Sequence, residues 1–187
     1  MIWKYANEIE DSSVRSSNHM IIKGLGNSTT MAFDVDNKET AHLILLSLTE
    51  MTTMRLRDSG NMCTLISVKA KTHEFNSYSH QRKLFSATDC TNEIFKVLKN
   101  IFDESWDGTP LRHLGIRLSG LITNESYQIS IFDSKYKEKY RLLDNTIDDI
   151  RMRYGSKSIT RAVFLHLGIR NMTGGVHEDY PLMTSIL

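Results

Sequence analysis

A chain of 187 residues and 21.5 kDa has room for one ordinary domain with appendages, or at most two small ones. Its 40% hydrophobic and 24% charged residues exclude a disordered tail. With 23 Lys and Arg against 22 Asp and Glu, the net charge of +1 excludes a surface that is a polycation throughout, but not a basic face offset by acidic regions elsewhere. No run approaches the ~20 apolar residues of a membrane span. Met1-Ile2-Trp3-Lys4-Tyr5 lacks the apolar core of a signal peptide. Cys63 and Cys90 form no CxxC pair and read as reduced thiols of a cytosolic, monomeric protein without a membrane partner.

Residues 1–10 read as the end of a helix with Trp3 and Ala6 on one side, and residues 11–21 as a polar, serine-rich linker. Met31 to Val35 is strand-like. Asp36 and Asn37 offer N-cap oxygens, with Glu39 placed to complete a capping box from Asp36. Ala41, Ile44, Leu45, Leu48 and Met51 then recur at helical spacing to about Leu56. From Cys63 to Lys71 the pattern alternates, with Thr64, Ile66, Val68 and Ala70 on one face and Ser67, Lys69 and Lys71 on the other. His80 to Ser86 is a partner strand. Thr91 can cap a second helix with the stripe Ile94, Val97, Leu98, Ile101 and Phe102, stopped by Asp107-Gly108. Arg112 to Ser119 alternates again, Leu114, Ile116 and Leu118 against His113, Arg117 and Ser119.

Strand, helix, strand, strand, helix, strand is the split βαβ order. It gives an α+β fold, a four-stranded βαββαβ sheet with two helices on one face. The other face would carry Lys69, Lys71, Arg82, His113 and Arg117. Beyond it, Tyr127 to Asp133 follows a turn. Residues 134–154 read as a helix packed through Tyr136, Tyr140, Leu143, Ile147 and Ile150. A segment from Ile159 to Leu167 packs against it, and residues 168–187 form a tail.

No catalytic constellation emerges. Metal-dependent nucleotidyl transfer needs converging carboxylates. Asp34/Asp36 reads as helix capping, and Asp148/Asp149, beside Arg151 and Arg153, as a solvated face. The seven histidines show no HxxxH or HExxH spacing. Lys23-Gly-Leu-Gly-Asn-Ser-Thr-Thr30 lacks the GxxxxGK[ST] spacing and precedes a strand, so it could hold a single phosphate but is no nucleotide-binding loop.

Several segments together resemble the C-terminal third of Y-family (translesion) DNA polymerases of the bacterial DNA polymerase IV type. Lys23 to Thr30 resembles the start of their little-finger domain, and Glu50-Met-Thr-Thr-Met-Arg-Leu-Arg57 the end of its first helix. Phe75-Asn-Ser-Tyr-Ser-His-Gln81 and Leu111-Arg-His-Leu-Gly-Ile-Arg-Leu-Ser119 are similar to strand segments of that domain. Trp3-Lys-Tyr-Ala-Asn-Glu-Ile-Glu10 is similar to the end of the preceding thumb. The resemblance covers residues 1–165. It implies that residues 1–10 end a thumb, 11–21 are a linker, 22–120 are the little finger, 121–133 bind a clamp and 134–167 form a helical extension. It implies too that the catalytic palm and its Mg2+ belong to a part of the enzyme outside this chain, which itself needs no cofactor.

The resemblance further implies a grip on template–primer DNA that fixes position without reading sequence. Lys23, Lys69, Lys71, Arg82 and Arg117 would neutralise phosphates, and Ser28, Thr29, Thr30, Ser77 and Ser79 would donate hydrogen bonds to them. Arg112 matches a position near the template strand, although strict alternation turns it toward the helices. His113 stands where the family often has arginine, and Glu8 where it often has glycine. Arg55 and Arg57 read as helix-end charges opposing the dipole. Gln128-Ile-Ser-Ile-Phe-Asp133 resembles the peptide that docks on the bacterial sliding clamp, with Ile131 and Phe132 as apolar anchors and Gln128 fixing orientation. The competing readings are a stand-alone split-βαβ module binding nucleic acid or protein, and a small enzyme. The first lacks paired aromatics on the alternating strands, and the second lacks a catalytic constellation.

Overall fold

The computed structural model describes residues 22–124 and 137–165, together with Trp3, Ala6 and Asn7. The clamp-like segment Tyr127 to Asp133, the linker at 11–21, most of the first ten residues and the tail lie outside the described residues. The described elements are β1 (Gly24–Val35), α1 (Lys38–Asp58), β2 (Asn61–Thr72), β3 (Ser77–Thr88), α2 (Thr91–Ser105), β4 (Leu111–Thr123) and α3 (Lys137–Tyr154). A short 3-10 turn follows at Ala162–Phe164. The sheet is antiparallel with order β1-β4-β2-β3. It has the expected α+β architecture, with α1 and α2 against one face. Among the described residues, no helix is long and apolar enough to cross a membrane.

Alternation on the two central strands makes the core. Ile66, Val68 and Ala70 of β2 and Leu114, Ile116 and Leu118 of β4 are buried beneath Ile44, Leu45, Leu48 and Leu56 of α1 and Ile94, Leu98, Ile101 and Phe102 of α2. The periodicity of α2 predicts its buried stripe. That of α1 does not, because α1 is covered on several sides and buries Ser47, Thr49, Thr52 and Thr53 as well. Three of these threonines return their hydroxyls to carbonyls one turn earlier, at 2.6–2.9 Å, which removes the cost of burying them.

Several boundaries differ from expectation. β1 starts at Gly24, not Met31, because the Gly- and hydroxyl-rich stretch pairs with β4 from Gly24 opposite Ser119 to Thr30 opposite His113. Its composition hides the strand. Asn37, not Asp36, caps α1, accepting from the Thr40 amide at 2.8 Å. Alternation on β2 breaks at Thr64, so Cys63 is fully buried while Thr64 bonds the Gly120 carbonyl at 2.8 Å. Gly120 has φ of 61°, and a Cβ there would meet the Thr64 hydroxyl at 2.3 Å, so only glycine fits. Cys63 and Cys90 are buried and free, and burial pushes the Cys63 thiol up to about 12.

The largest departure is α3. Its apolar stripe does not make the main contact, since Tyr140 and Leu143 are exposed. The buried face is charged. Arg57 of α1 donates to both oxygens of Asp148, at 2.6 and 3.1 Å, and to the Asp89 carbonyl at 2.8 Å. Asp144 lies 3.5 Å from Arg57 and accepts the Thr91 amide at 2.8 Å. Thr91 is therefore the first residue of α2 rather than its cap. Cys90 in the cap position contributes no side-chain bond, and Asp144 of another helix supplies it instead, a carboxylate at the positive helix end. Glu50 of α1, 5% exposed, receives Arg151 at 2.9 Å and also Arg161. Arg141 pairs with Asp89 at 2.9 Å. Asp148 is thus not part of a solvated face, and Arg57 is an anchor rather than a helix-end charge.

Burial works against the Arg57 charge, but Asp148, then Asp144 and Asp89, outweigh it and hold its pKa above the ordinary value. Breaking a buried pair strands its partner's charge. Asp148→Ala is expected to lower stability to urea by about 2–3 kcal/mol. Arg57→Met combined with Asp148→Leu should recover most of that loss. Equal loss in the single and double variants would show that the pair does not govern the docking.

Candidate nucleic-acid interface

The register aligns the open face into four rows that each cross all four strands. In the order β1, β4, β2, β3, they read Thr30-His113-Lys71-Ser77, then Ser28-Gly115-Lys69-Ser79, then Gly26-Arg117-Ser67-Gln81, then Gly24-Ser119-Leu65-Lys83. With ~3.3 Å per residue and ~4.8 Å between strands, the grid measures roughly 20 by 14 Å. It holds no carboxylate, although the chain carries 22. Lys69, Lys83 and Arg117 are exposed. Among the described residues, no ion pair neutralises them.

Glycines shape one side of the grid. A Cβ on Gly24 or Gly26 would meet a β4 carbonyl oxygen at 2.8 Å, and one on Gly115 would meet the Ser28 Cβ at 2.8 Å. The β1–β4 half is therefore low and hydroxyl-lined, with Arg117 rising beside it, while the β2–β3 half carries the lysines. A rod-like polyanion could approach the backbone on the glycine side and meet ammonium groups on the other.

His113 occupies the row between Thr30 and Lys71. Its Nδ1 lies 3.0 Å from the Thr30 hydroxyl. Burial, then Lys69 and Lys71, holds its pKa below the ordinary histidine value, so it is neutral near pH 7.

The structure brings together Ser28, Thr30, Lys69, Lys71, Ser77, Ser79, His113 and Arg117, and places exposed Lys23 immediately before β1. It does not bring the remainder with them. Arg82 is opposite Ile66, on the helix side of β3, with its guanidinium 2.6 Å from Glu104 of α2. Thr29 alternates with Ser28 and Thr30 and shares the helix side with Leu25 and Asn27. Arg112 departs from the strict alternation that would turn it toward the helices. The β2–β4 register shifts beside it, between Lys71 opposite His113 and Thr72 opposite Leu111. Its guanidinium lies at the sheet end, 3.4 Å from Asp34. The Asp34/Asp36 pair is accordingly split, with Asp36 accepting from Asn37 at 3.1 Å. Gln128, Ile131 and Phe132 lie outside the described residues.

Lys83 and Gln81 complete the face, although neither is among the DNA-contacting residues expected from the sequence. Starting β3 at Ser77 instead of His80 would have exposed the alternation Ser77, Ser79, Gln81, Lys83, and would have put Arg82 behind.

Residues 22–131 match the impB/mucB/samB family C-terminal domain. DNA polymerase IV of Clostridium acetobutylicum is 43% identical over 165 residues, covering 88% of this chain and 41% of the relative. DNA polymerase IV 2 of Bacillus subtilis is 30% identical over 169 residues, covering 88% and 40%. The chain thus spans about two fifths of the length of these curated relatives. Among solved structures, the post-insertion binary complex of Dbh DNA polymerase matches with a TM-score of 0.48 at 16% identity, covering 66% of this chain and 35% of that one. The little-finger domain of PolIV, in its complex with the beta-clamp processivity factor, matches with a TM-score of 0.44 at 17% identity, covering 59% and 99%. On the match across residues 22–131, the chain belongs to the impB/mucB/samB family as its C-terminal domain.

Proposed function

We propose that this chain is the DNA-gripping and clamp-docking part of an error-prone translesion polymerase. The observation that carries the reading is the sixteen-position open face with four basic side chains and no carboxylate. Phosphate contacts from Lys69, Lys71, Lys83 and Arg117, helped by Ser28, Thr30, Ser77 and Ser79, position a duplex without reading its bases. A polymerase that must accept damaged templates needs that indifference. Nucleotidyl transfer and its Mg2+ belong, on this reading, to the remaining three fifths of the enzyme. Arg82 and Thr29 take no part, since one is engaged behind the sheet and the other faces the helices.

Each neutralised phosphate releases condensed counterions, so a plot of log affinity against log salt should fall with a slope of about −3 to −4 for four contacts. Lys69→Ala with Arg117→Ala should flatten that slope by about 2. Arg82→Ala should leave it unchanged. A flat plot for the wild type would remove the grip.

A phosphate above His113 would offset the charges of Lys69 and Lys71 and raise the imidazole pKa. Binding would then take up a proton. Affinity at constant salt should accordingly rise as pH falls from 8 to 6, by about two- to fivefold beyond the change seen in His113→Ala. His113→Arg should bind more tightly and lose that component. Identical pH profiles for wild type and His113→Ala would exclude a phosphate at this row.

Docking on the sliding clamp rests on Gln128, Ile131 and Phe132, a glutamine followed by an aliphatic–aromatic pair directly after the little finger. Phe132→Ala is expected to abolish co-elution with the bacterial clamp while leaving DNA affinity intact. Undiminished clamp binding would overturn the assignment.

A further inference from the structure

One end of the sheet offers aromatic rings to solvent. The β2–β3 connection is a tight turn closed by the Phe75 amide to the Thr72 carbonyl at 3.0 Å and the Thr72 amide to the Asn76 carbonyl at 2.9 Å. It is tied to the neighbouring strand by the His73 amide on the Pro110 carbonyl at 2.9 Å. Within it Phe75 has φ of 69°, the one left-handed non-glycine residue among those described. Glycine or asparagine is the ordinary occupant of such a position. Phe75 bears that strain while remaining 69% exposed as a residue, and Lys71 Nζ stands over its ring, 4.7 Å from the centroid. Strain of this kind persists where the surroundings impose it and collects at functional sites.

Across the sheet, Phe33 is 48% exposed. It lies in the stretch of β1 where pairing with β4 is irregular, between Thr30 and Val35. Val35 is opposite Leu111, and Leu111 is opposite Thr72, so both rings belong to one end of the sheet. Arg112, His113 and Lys71 lie between them. The rings are therefore not parts of one apolar patch that a protein or membrane would cover. They are separate flat faces set among cations.

We propose that Phe75 stacks on an unpaired nucleotide where single-stranded DNA leaves the duplex held on the sheet. The proposal rests on the DNA-grip reading and adds a second kind of contact to it. Bases inside a duplex have their faces covered by their neighbours. A ring at the end of a phosphate-binding face meets an uncovered base only where the strand is single. Lys71, lying over one face of the ring, would meet that strand's phosphate and leave the opposite face to the base.

The test compares a blunt DNA hairpin with the same hairpin carrying a short oligo-dT tail. The full chain should prefer the tailed form, by roughly tenfold for one stacked base. Phe75→Ala and Phe75→Gly should remove the preference and leave blunt affinity unchanged. Phe75→Gly should unfold no earlier than wild type on heating, because glycine suits the turn. Phe75→Trp should keep the preference, and its added fluorescence should be quenched by free oligo-dT. A tail preference that survives in both Phe75→Ala and Phe75→Gly overturns the proposal, as does a Phe75→Trp fluorescence signal indifferent to oligo-dT. So does a Phe75→Ala defect confined to clamp association, which would make the ring a protein contact. Blunt affinity reports the grip alone, so loss of blunt binding with quenching intact sinks the grip and spares the stacking.

Discussion

Everything on the open face depends on the register between β2 and β4. Lys69 opposite Gly115, with Ala70 opposite Leu114, places basic and apolar side chains on opposite sides of one sheet. A slip of β2 by one residue would send Lys69 into the core and Ile66 and Val68 into water, and a slip of β4 would do the same to Arg117, Leu114 and Ile116. The apolar contacts with α1 and α2 therefore hold the charged rows in place. The breaks in alternation at Thr64/Gly120 and at Arg112 lie near the two ends of this pairing, outside the rows.

The other face is organised by charge as well, to opposite effect. On the sheet, like charges stand without carboxylates and are ready for a foreign anion. Behind the helices, Arg57, Arg141 and Arg151 are matched to Asp148, Asp89 and Glu50. Asp144 also caps a helix that has no cap of its own. Neither arrangement is visible in the near-neutral total of the chain.

Element order, the core stripes of β2, α2 and β4, and the basic character of the open face are legible in the sequence, because periods of 2 and 3.6 survive wherever one side is dry. Three things are not. β1 hides because Gly24, Gly26, Ser28 and Thr30 have neither apolar alternation nor strand-forming bulk, and their pairing is visible only once β4 lies beside them. Arg82 escapes because His80 to Ser86 has no clean apolar alternation to show which parity faces the helices, and its pairing with Ile66 appears only once β2 lies beside it. The docking of α3 escapes notice because hydrophobic periodicity is blind to a buried face built from Arg141, Asp144, Asp148 and Arg151. A pattern of alternating charges at helical spacing is the same for a solvated helix and for one clasped by ions.

The ionic clasp makes α3 easier to lose as a unit than to alter piecemeal. Its partners on α1, Glu50 and Arg57, are a complementary pair of surface-capable charges, and water can solvate both once the whole helix is gone. One missing carboxylate leaves a cation sealed without its counterion, but a missing helix leaves none. An appendage attached in this way is modular. Its removal would leave the βαββαβ core intact.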